Sequence, residues 1–441
     1  MTGIVELIEA AGLTGRGGAA FSTAIKVKAA QDNGAELIVN ACDGEIGAAK
    51  DAWIVEHRLP ELIEGAALVA RGRRPKVRYA AHRGSRTAAL LHSAGLHVLE
   101  APHRYVSSEE TSLISLAHGG PARPMTKRAP FVFGGRDSQG HRVRPTVVLN
   151  AETLLRVSQI HRHGAAWFRS YGTEAEPGPR LVSLGGHLSR PGVHEVAAGM
   201  SIADILGLAG GLPSDARHVG VGGLGGVLLT AQDARTTIWD GAGMKRHGGS
   251  LGPGIFTVWD PAECPVETAI QLLSYGAGES AGQCGPCMFG LPALAGDWAA
   301  YGRTPTLDRY ERLQQRLELF SRRGACAHPD GVSRFARSAL AARVRVHCPR
   351  PARLPEGRPA PCPARLNPPA SPWTGCCAPD TECAPRRFRA RSSSTSGATR
   401  WSAPSSSILT RPRWRSSCAR RGPCTFAEVD DPARGSARST P

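Results

Sequence analysis

Short apolar runs alternate with helical segments between residues 36 and 100, and this alternation constrains the fold more than any other feature of the chain. The runs cover 36–40, 76–80 and 97–100, and the segments between them, 59–71 and 85–94, carry apolar residues at helical spacing. Strands joined through helices lie parallel in one sheet, which makes the chain α/β. Ligands of such sheets gather beyond the C-terminal ends of the strands. Asn40-Ala41-Cys42-Asp43-Gly44-Glu45, polar and glycine-containing, stands at one such end.

A second polar stretch precedes the first strand: Gly12-Leu13-Thr14-Gly15-Arg16-Gly17-Gly18-Ala19-Ala20-Phe21, between helical segments 5–11 and 23–30. Four glycines let backbone N–H groups approach an anion, the arginine offers a fork for phosphate or carboxylate, and a following helix N-terminus favours negative charge. The spacing is not that of the G-x-G-x-x-G dinucleotide loop, and no strand runs into it, so an ordinary turn stands beside the anion-site reading.

The formal net charge of +17 is unevenly placed. Residues 350–441 hold 16 Arg, no Lys and 6 acidic residues, so +10 of the excess lies there. The stretch 346–441 also carries seven of the twelve cysteines, is rich in Pro, Ser and Arg, and lacks periodicity. It reads as a disordered basic tail or as a translation out of its original frame. Without regular aromatic interleaving it does not read as a nucleic-acid surface. No apolar run approaches the roughly 20 residues of a membrane span, and the first residues carry no basic, cleavable signal, so the expected location is cytoplasmic.

Residues 180–209 read as strand, turn, strand and a helix capped by Ser201. Further on, Cys284-Gly285-Pro286-Cys287 follows a helical run over 265–275, and Cys326 and His328 follow another over 307–320. A C-x-x-C with a distant third cysteine suits a [4Fe–4S] site. A zinc site of Cys3His type and an empty site stand as alternatives. Thioredoxin-like exchange would need a preceding strand where a helix is expected.

The ordered combination of Gly12 to Phe21, Asn40 to Gly47 with Lys50-Asp51, Ser108-Glu109-Glu110-Thr111 and 145–154 resembles the flavoprotein subunit of respiratory complex I and the related diaphorase subunits of NAD-linked hydrogenases and formate dehydrogenases. The similarity spans 5 to about 342. It implies a Rossmann-like FMN and NADH domain over 1–170, a ubiquitin-like β-grasp insert over 171–250, a helical iron–sulfur domain over 251–345 and the tail from 346 to 441.

By the same resemblance Gly15, Arg16, Gly17 and Lys26 would hold the FMN phosphate. Asn40, Asp43, Glu109, Glu110, Asn150 and Thr153 complete the cofactor set. Phe21, Glu45 and Phe131 would contact NADH, and Cys284, Cys287 and Cys326 would ligate the [4Fe–4S] cluster. Ala281 stands where the family has a fourth cysteine, which leaves His328 as the nearest substitute. Cys42, Ser107-Ser108, Leu149 and Ala29 also depart from the family pattern and imply altered dinucleotide binding. The implied activity is NADH oxidation through FMN to an iron–sulfur acceptor, within a larger redox complex at the inner face of the membrane and beside a thioredoxin-like [2Fe–2S] subunit. The rival is a degenerate, non-catalytic scaffold that keeps the fold for partner binding.

Overall fold

The computed structural model describes residues 3–70, 76–127, 129–137 and 139–342. The chain divides into two compact units, Met1–Trp373 and Thr374–Pro441. All described residues belong to the first, and the tail expected over 346–441 lies outside them.

The unit opens with α1 (Ile4–Ala11), the glycine loop and α2 (Thr23–Asp32), whose first turn is capped by the Ser22 hydroxyl. There follow β1 (Glu36–Asn40), α3 (Lys50–His57), α4 (Leu59–Val69), β2 (Val77–His82), α5 (Arg86–Ser93), β3 (Val98–Ala101) and α6 (Glu110–Ala117). A two-residue hairpin, β4 (Gly135–Arg136) and β5 (Arg142–Val143), leads to β6 (Thr146–Asn150) and the long α7 (Ala151–Arg169). The four longer strands form one parallel sheet in the order β3-β2-β1-β6, as the alternation predicts.

Both faces of this sheet are covered, which is why its strands read as unbroken apolar runs. Leu37 and Val39 of β1 point into a core with Ile8, Leu62, Leu154 and Phe168, while Ile38 joins Ala80, Leu113, Ile114, Phe131 and Val148 on the other side. α4 approaches α7 so closely that a Cβ on Gly65 would lie 1.9 Å from the Leu154 carbonyl oxygen.

The second sheet is built from β7 (Pro179–Gly186), β8 (Gly192–Ala197), β9 (His218–Val221), β10 (Val227–Thr230) and β11 (Ile255–Val258), in the order β10-β9-β11-β7-β8. Between these strands lie α8 (Ile202–Gly207), capped by Ser201 as expected, α9 (Ala231–Thr236) and α10 (Gly241–Arg246). The central strand β11 runs parallel to β7 and antiparallel to β9. The expected boundary at residue 250 therefore falls inside this sheet. The reason is physical: β11 supplies Phe256 and Val258 to the same core as Val182, Ile205 and Trp239.

The last part is helical: α11 (Pro265–Gly278), α12 (Leu291–Arg303), α13 (Leu307–Glu318) and α14 (His328–Ala341). Trp298, Leu313, Phe320 and Phe335 fill its core, and Leu224 and Leu228 of the second sheet's side join them. The amide of Leu228 donates to Ser338 Oγ at 2.8 Å, and Arg334 donates to the Gly225 carbonyl at 2.9 Å. Among the described residues no helix is long and apolar enough to cross a membrane.

Candidate functional site

Parallel pairing of β1 with β6 places Asn40 opposite Asn150 at the C-terminal end of the sheet. The glycine loop folds over this pair, and a Cβ on Gly17 would stand 3.4 Å from Asn150 Cβ. The Gly15 amide donates to the Phe21 carbonyl at 2.8 Å, and the Arg16 amide to Thr153 Oγ1 at 2.9 Å. Gly18 adopts φ +105°, a conformation L side chains rarely take. Gly15, Gly17, Asn40, Asn150 and Thr153 thus meet where the sheet topology expects a ligand.

Three expected roles change with the geometry. The Arg16 guanidinium has partners of its own: its Nη2 donates to the Pro177 carbonyl at 2.9 Å, and the group stacks over Phe168 at 5.6 Å. Buried, it faces the second sheet.

Asn150 has no free side-chain valence. Its Oδ1 accepts from Lys50 Nζ at 2.8 Å and from the Glu152 amide at 3.1 Å, capping α7. Its Nδ2 donates to Asp51 Oδ2 at 2.7 Å and to the Asn40 carbonyl at 3.4 Å. It shapes the floor rather than offering an amide.

Phe131 is 7% exposed and belongs to the core under the sheet, whereas Phe21 is 49% and Phe133 60% exposed. Of these three, Phe21 and Phe133 keep their rings exposed.

Lys26 and Glu110 form an ion pair at 3.0 Å, and Lys127 pairs with the other carboxylate oxygen. Burial opposes ionisation of Glu110, but the two lysines outweigh it and hold its pKa below the ordinary glutamate value. Glu109 caps α6, accepting from the amides of Thr111 and Ser112 at 2.8 and 3.1 Å. Burial pushes its pKa up against those bonds. Asn40 Nδ2 donates to the Ser108 carbonyl at 3.0 Å, tying the strand end to this turn.

Beneath the loop lies a buried ionic layer. Lys50, 2% exposed, pairs with Asp51 at 3.0 Å and Glu152 at 3.1 Å. Burial disfavours its charge, yet Asp51 and Glu152 more than compensate and raise its pKa. Asp43 accepts from the amides of Asp51 and Ala52 at 3.0 and 2.7 Å, at the start of α3. Burial, then the adjacent Asp51, push Asp43 up to about 7.

Glu45 bridges the three parts of the unit. Its Oε1 accepts from the amides of Ile46 and Leu224 at 2.9 and 2.8 Å, and its Oε2 from Tyr105 Oη at 2.5 Å. Glu279, at the end of α11, accepts from the Tyr105 amide at 2.8 Å and from Arg104 at 3.0 Å. The Tyr105 ring lies 5.0 Å from that of His328. Tyr105 carried no signal in the sequence, because a single tyrosine before a serine pair has no distinctive spacing.

The three cysteines converge at this corner. Burial, then Cys284 and Cys326, push the Cys287 thiol up to about 12. Burial raises the Cys326 pKa and Glu109 adds to it, while the His328 backbone at the start of α14 opposes them. Gln283 donates to the Pro124 carbonyl at 2.8 Å, tethering the cysteine turn to the segment that carries Lys127. As expected, a helix rather than a strand precedes Cys284.

Among the described residues no three His, Cys, Asp or Glu side chains are placed to share a single metal ion. A cluster separates its ligands more widely than a single zinc ion does. His328 Nε2 lies 2.7 Å from the Gly276 carbonyl, leaving Nδ1, buried and without a partner, as its one nitrogen able to ligate. Three thiols that act on one another electrostatically fit the donor chemistry of an iron–sulfur cluster.

Residues 8–159 match the Nuo51 FMN-binding domain, and residues 267–343 the NADH-ubiquinone oxidoreductase-F iron-sulfur binding region. The F 2 subunit of NADH-quinone oxidoreductase from Rhizobium meliloti (strain 1021) is 30% identical over 76% of this chain and 86% of its own length. The corresponding F-type subunit from Mycobacterium tuberculosis (strain ATCC 25618 / H37Rv) is 31% identical over 65% and 70% respectively. A crystal structure of NAD+-reducing [NiFe]-hydrogenase in the H2-reduced state superposes with a TM-score of 0.67 at 28% identity. That alignment covers 78% of this chain but 62% of the hydrogenase chain, less than two thirds of its length.

The first match ends within α7 and the second begins in α11, so each falls on the part of the fold that carries the corresponding residues. Fold and matches together define the class: a chain with an FMN-binding domain and a [4Fe–4S]-binding region. Within that class the chain belongs to the F-type subunit family of NADH-quinone oxidoreductase.

Proposed function

We propose that the chain is an NADH-oxidising flavoprotein subunit that binds FMN at the glycine loop and a [4Fe–4S] cluster at Cys284, Cys287 and Cys326. The observation that carries this reading is the continuity between the two sites. Glu45 binds Tyr105, Tyr105 binds Glu279, and Glu109 lies close enough to Cys326 to raise its pKa.

FMN held here would supply an acceptor for one hydride, two electrons with their hydrogen, from NADH and a way to pass those two electrons on one at a time. The chain's part is to hold and align. Gly15, Gly17 and Gly18 let the backbone approach a phosphate, and Thr153 and Asn150 fix the loop's base. Phe21 offers an exposed aromatic face for a planar ring, and Glu45 holds the turn before α3 through three hydrogen bonds. No side chain needs to move a proton in hydride transfer itself.

Cys284, Cys287 and Cys326 supply three thiolates, and Ala281 leaves the fourth position without one. Burial keeps the Cys287 and Cys326 thiols protonated until a cluster's positive irons offset the cost. The β-grasp character of the second sheet, the cytoplasmic setting at the inner face of the membrane, and a thioredoxin-like [2Fe–2S] partner in a larger redox complex belong to the same reading. The scaffold alternative draws on Ala281 and on the burial of Phe131.

Anaerobic reconstitution with FMN, iron and sulfide separates the two. The enzyme reading expects one flavin per chain and iron that is lost in Cys284→Ala and Cys326→Ala. A chain that takes up neither, or whose iron in both variants equals that of the wild type, supports the scaffold.

A further inference from the structure

Four cationic side chains behind the glycine loop are withdrawn from solvent together: Arg16, Lys50, Arg156 and Arg180 are each at most 4% exposed. Glu152 faces all of them, pairing with Lys50 at 3.1 Å and Arg156 at 3.4 Å. Asp51 is occupied by Lys50, and Arg156 also reaches Glu195 at 2.5 Å. Arg16 and Arg180 make no ion pair among the described residues, and the carboxylates that act on them at a distance are Glu152 on both and Glu176 on Arg180. Nε and Nη1 of Arg16, Nε and Nη2 of Arg180, and the indole nitrogen of Trp239 are all buried without a hydrogen-bond partner.

Arg16, Arg180, Glu152 and Trp239 line one narrow void with Gly252, Pro253 and Gly254, and the void does not admit a water molecule. Solvent therefore cannot satisfy these donors where they stand. Burial lowers the pKa of both guanidiniums; Arg180 lowers that of Arg16 further, while Glu152 opposes the effect on each. The void lies directly behind the loop, since a Cβ on Gly18 would stand 3.5 Å from Pro253. Surplus positive charge in a weakly polarisable interior acts over a longer range than on a surface, and an anion on the loop would offset it.

We propose that Arg180, carried by β7 of the second sheet, is a positioning residue that acts with Arg16 as a buried positive field selecting the phosphorylated flavin, FMN, over riboflavin. This rests on the flavin reading above. The selecting charge is shared across two sheets, so phosphate recognition requires the second sheet to be packed behind the loop.

The test titrates the full apo chain with FMN and with riboflavin, following flavin fluorescence, in wild type, Arg180→Met and Arg180→Lys. The expected result is an FMN dissociation constant raised about tenfold in Arg180→Met, about 1.4 kcal/mol. Riboflavin affinity should stay within about twofold, and Arg180→Lys should bind FMN nearly as wild type. Equal weakening of both flavins, or no weakening of either, overturns the inference.

If Arg180→Met does not fold, wild type supplies a second reading. Inorganic phosphate should raise the melting temperature of the apo chain above that in chloride at equal ionic strength, and no difference overturns the inference. Wild type that binds neither flavin overturns the parent reading instead, whereas wild type that binds FMN and riboflavin equally overturns only the field.

Discussion

Asp43 adopts φ 46°, a left-handed conformation that Asp and Asn tolerate better than most residues, and its carboxylate receives two amides of α3. Its folded pKa of about 7 lies above the unfolded aspartate value near 3.9. The folded state therefore binds more protons between those values. The contribution is fully present below about pH 4 and is lost as pH rises through about 7. Asp43→Asn should remove this slope: melting temperatures from pH 5 to 8 should show wild type losing stability relative to the variant. Parallel curves would contradict the assignment.

Lys50→Met is expected to cost about 3–5 kcal/mol in urea unfolding, because it strands Asp51 and Glu152 as buried carboxylates without their cation. At this scale the sequence was legible where the backbone does the work, as at Gly15 and Gly17, and where an ion pair follows from charge, as at Glu110. It was not legible for Arg16, Asn150 and Phe131. Each has the residue type a ligand would need, but Arg16 turns one nitrogen to Pro177, Asn150 is held by Lys50 and Asp51, and Phe131 packs in the core, and spacing cannot reveal a tertiary partner.

Among the elements, the parallel sheet was legible because a strand buried on both faces needs apolar residues throughout, as in Leu37, Ile38 and Val39. α7 was not, because it begins directly where β6 ends and contains Gly164 in a non-helical conformation. β11 escaped the expected second domain because it is separated from β10 by two helices and a glycine-rich turn. The packing of α4 on α7 gives a prediction of its own. Gly65→Ala drives a methyl into the Leu154 carbonyl oxygen, backbone that cannot rotate aside, and should destabilise by about 3 kcal/mol or more. Gly34→Ala, at φ +57° with nothing within 4 Å, should cost only about 1 kcal/mol. Thermal unfolding of the two variants compares them, and equal losses would show that α4 slides to relieve the contact.

At the level of the whole unit, three parts meet around Glu45: the parallel sheet provides it, the second sheet binds it through Leu224, and Tyr105 connects it to the end of α11. That convergence is what a path from a flavin to a cluster requires, and it arises from residues more than 170 positions apart in sequence. No local pattern announces it, although the family resemblance had put Glu45 and the cysteines in one protein. The departure at Ala281 bears on the exit of the path and leaves its entrance intact.

The most direct test of the central claim is anaerobic titration of the FMN-reconstituted chain with NADH, following the visible flavin absorption. The account predicts that the flavin band bleaches with about one NADH per flavin. A chain that binds FMN and stays unbleached in excess NADH would contradict it.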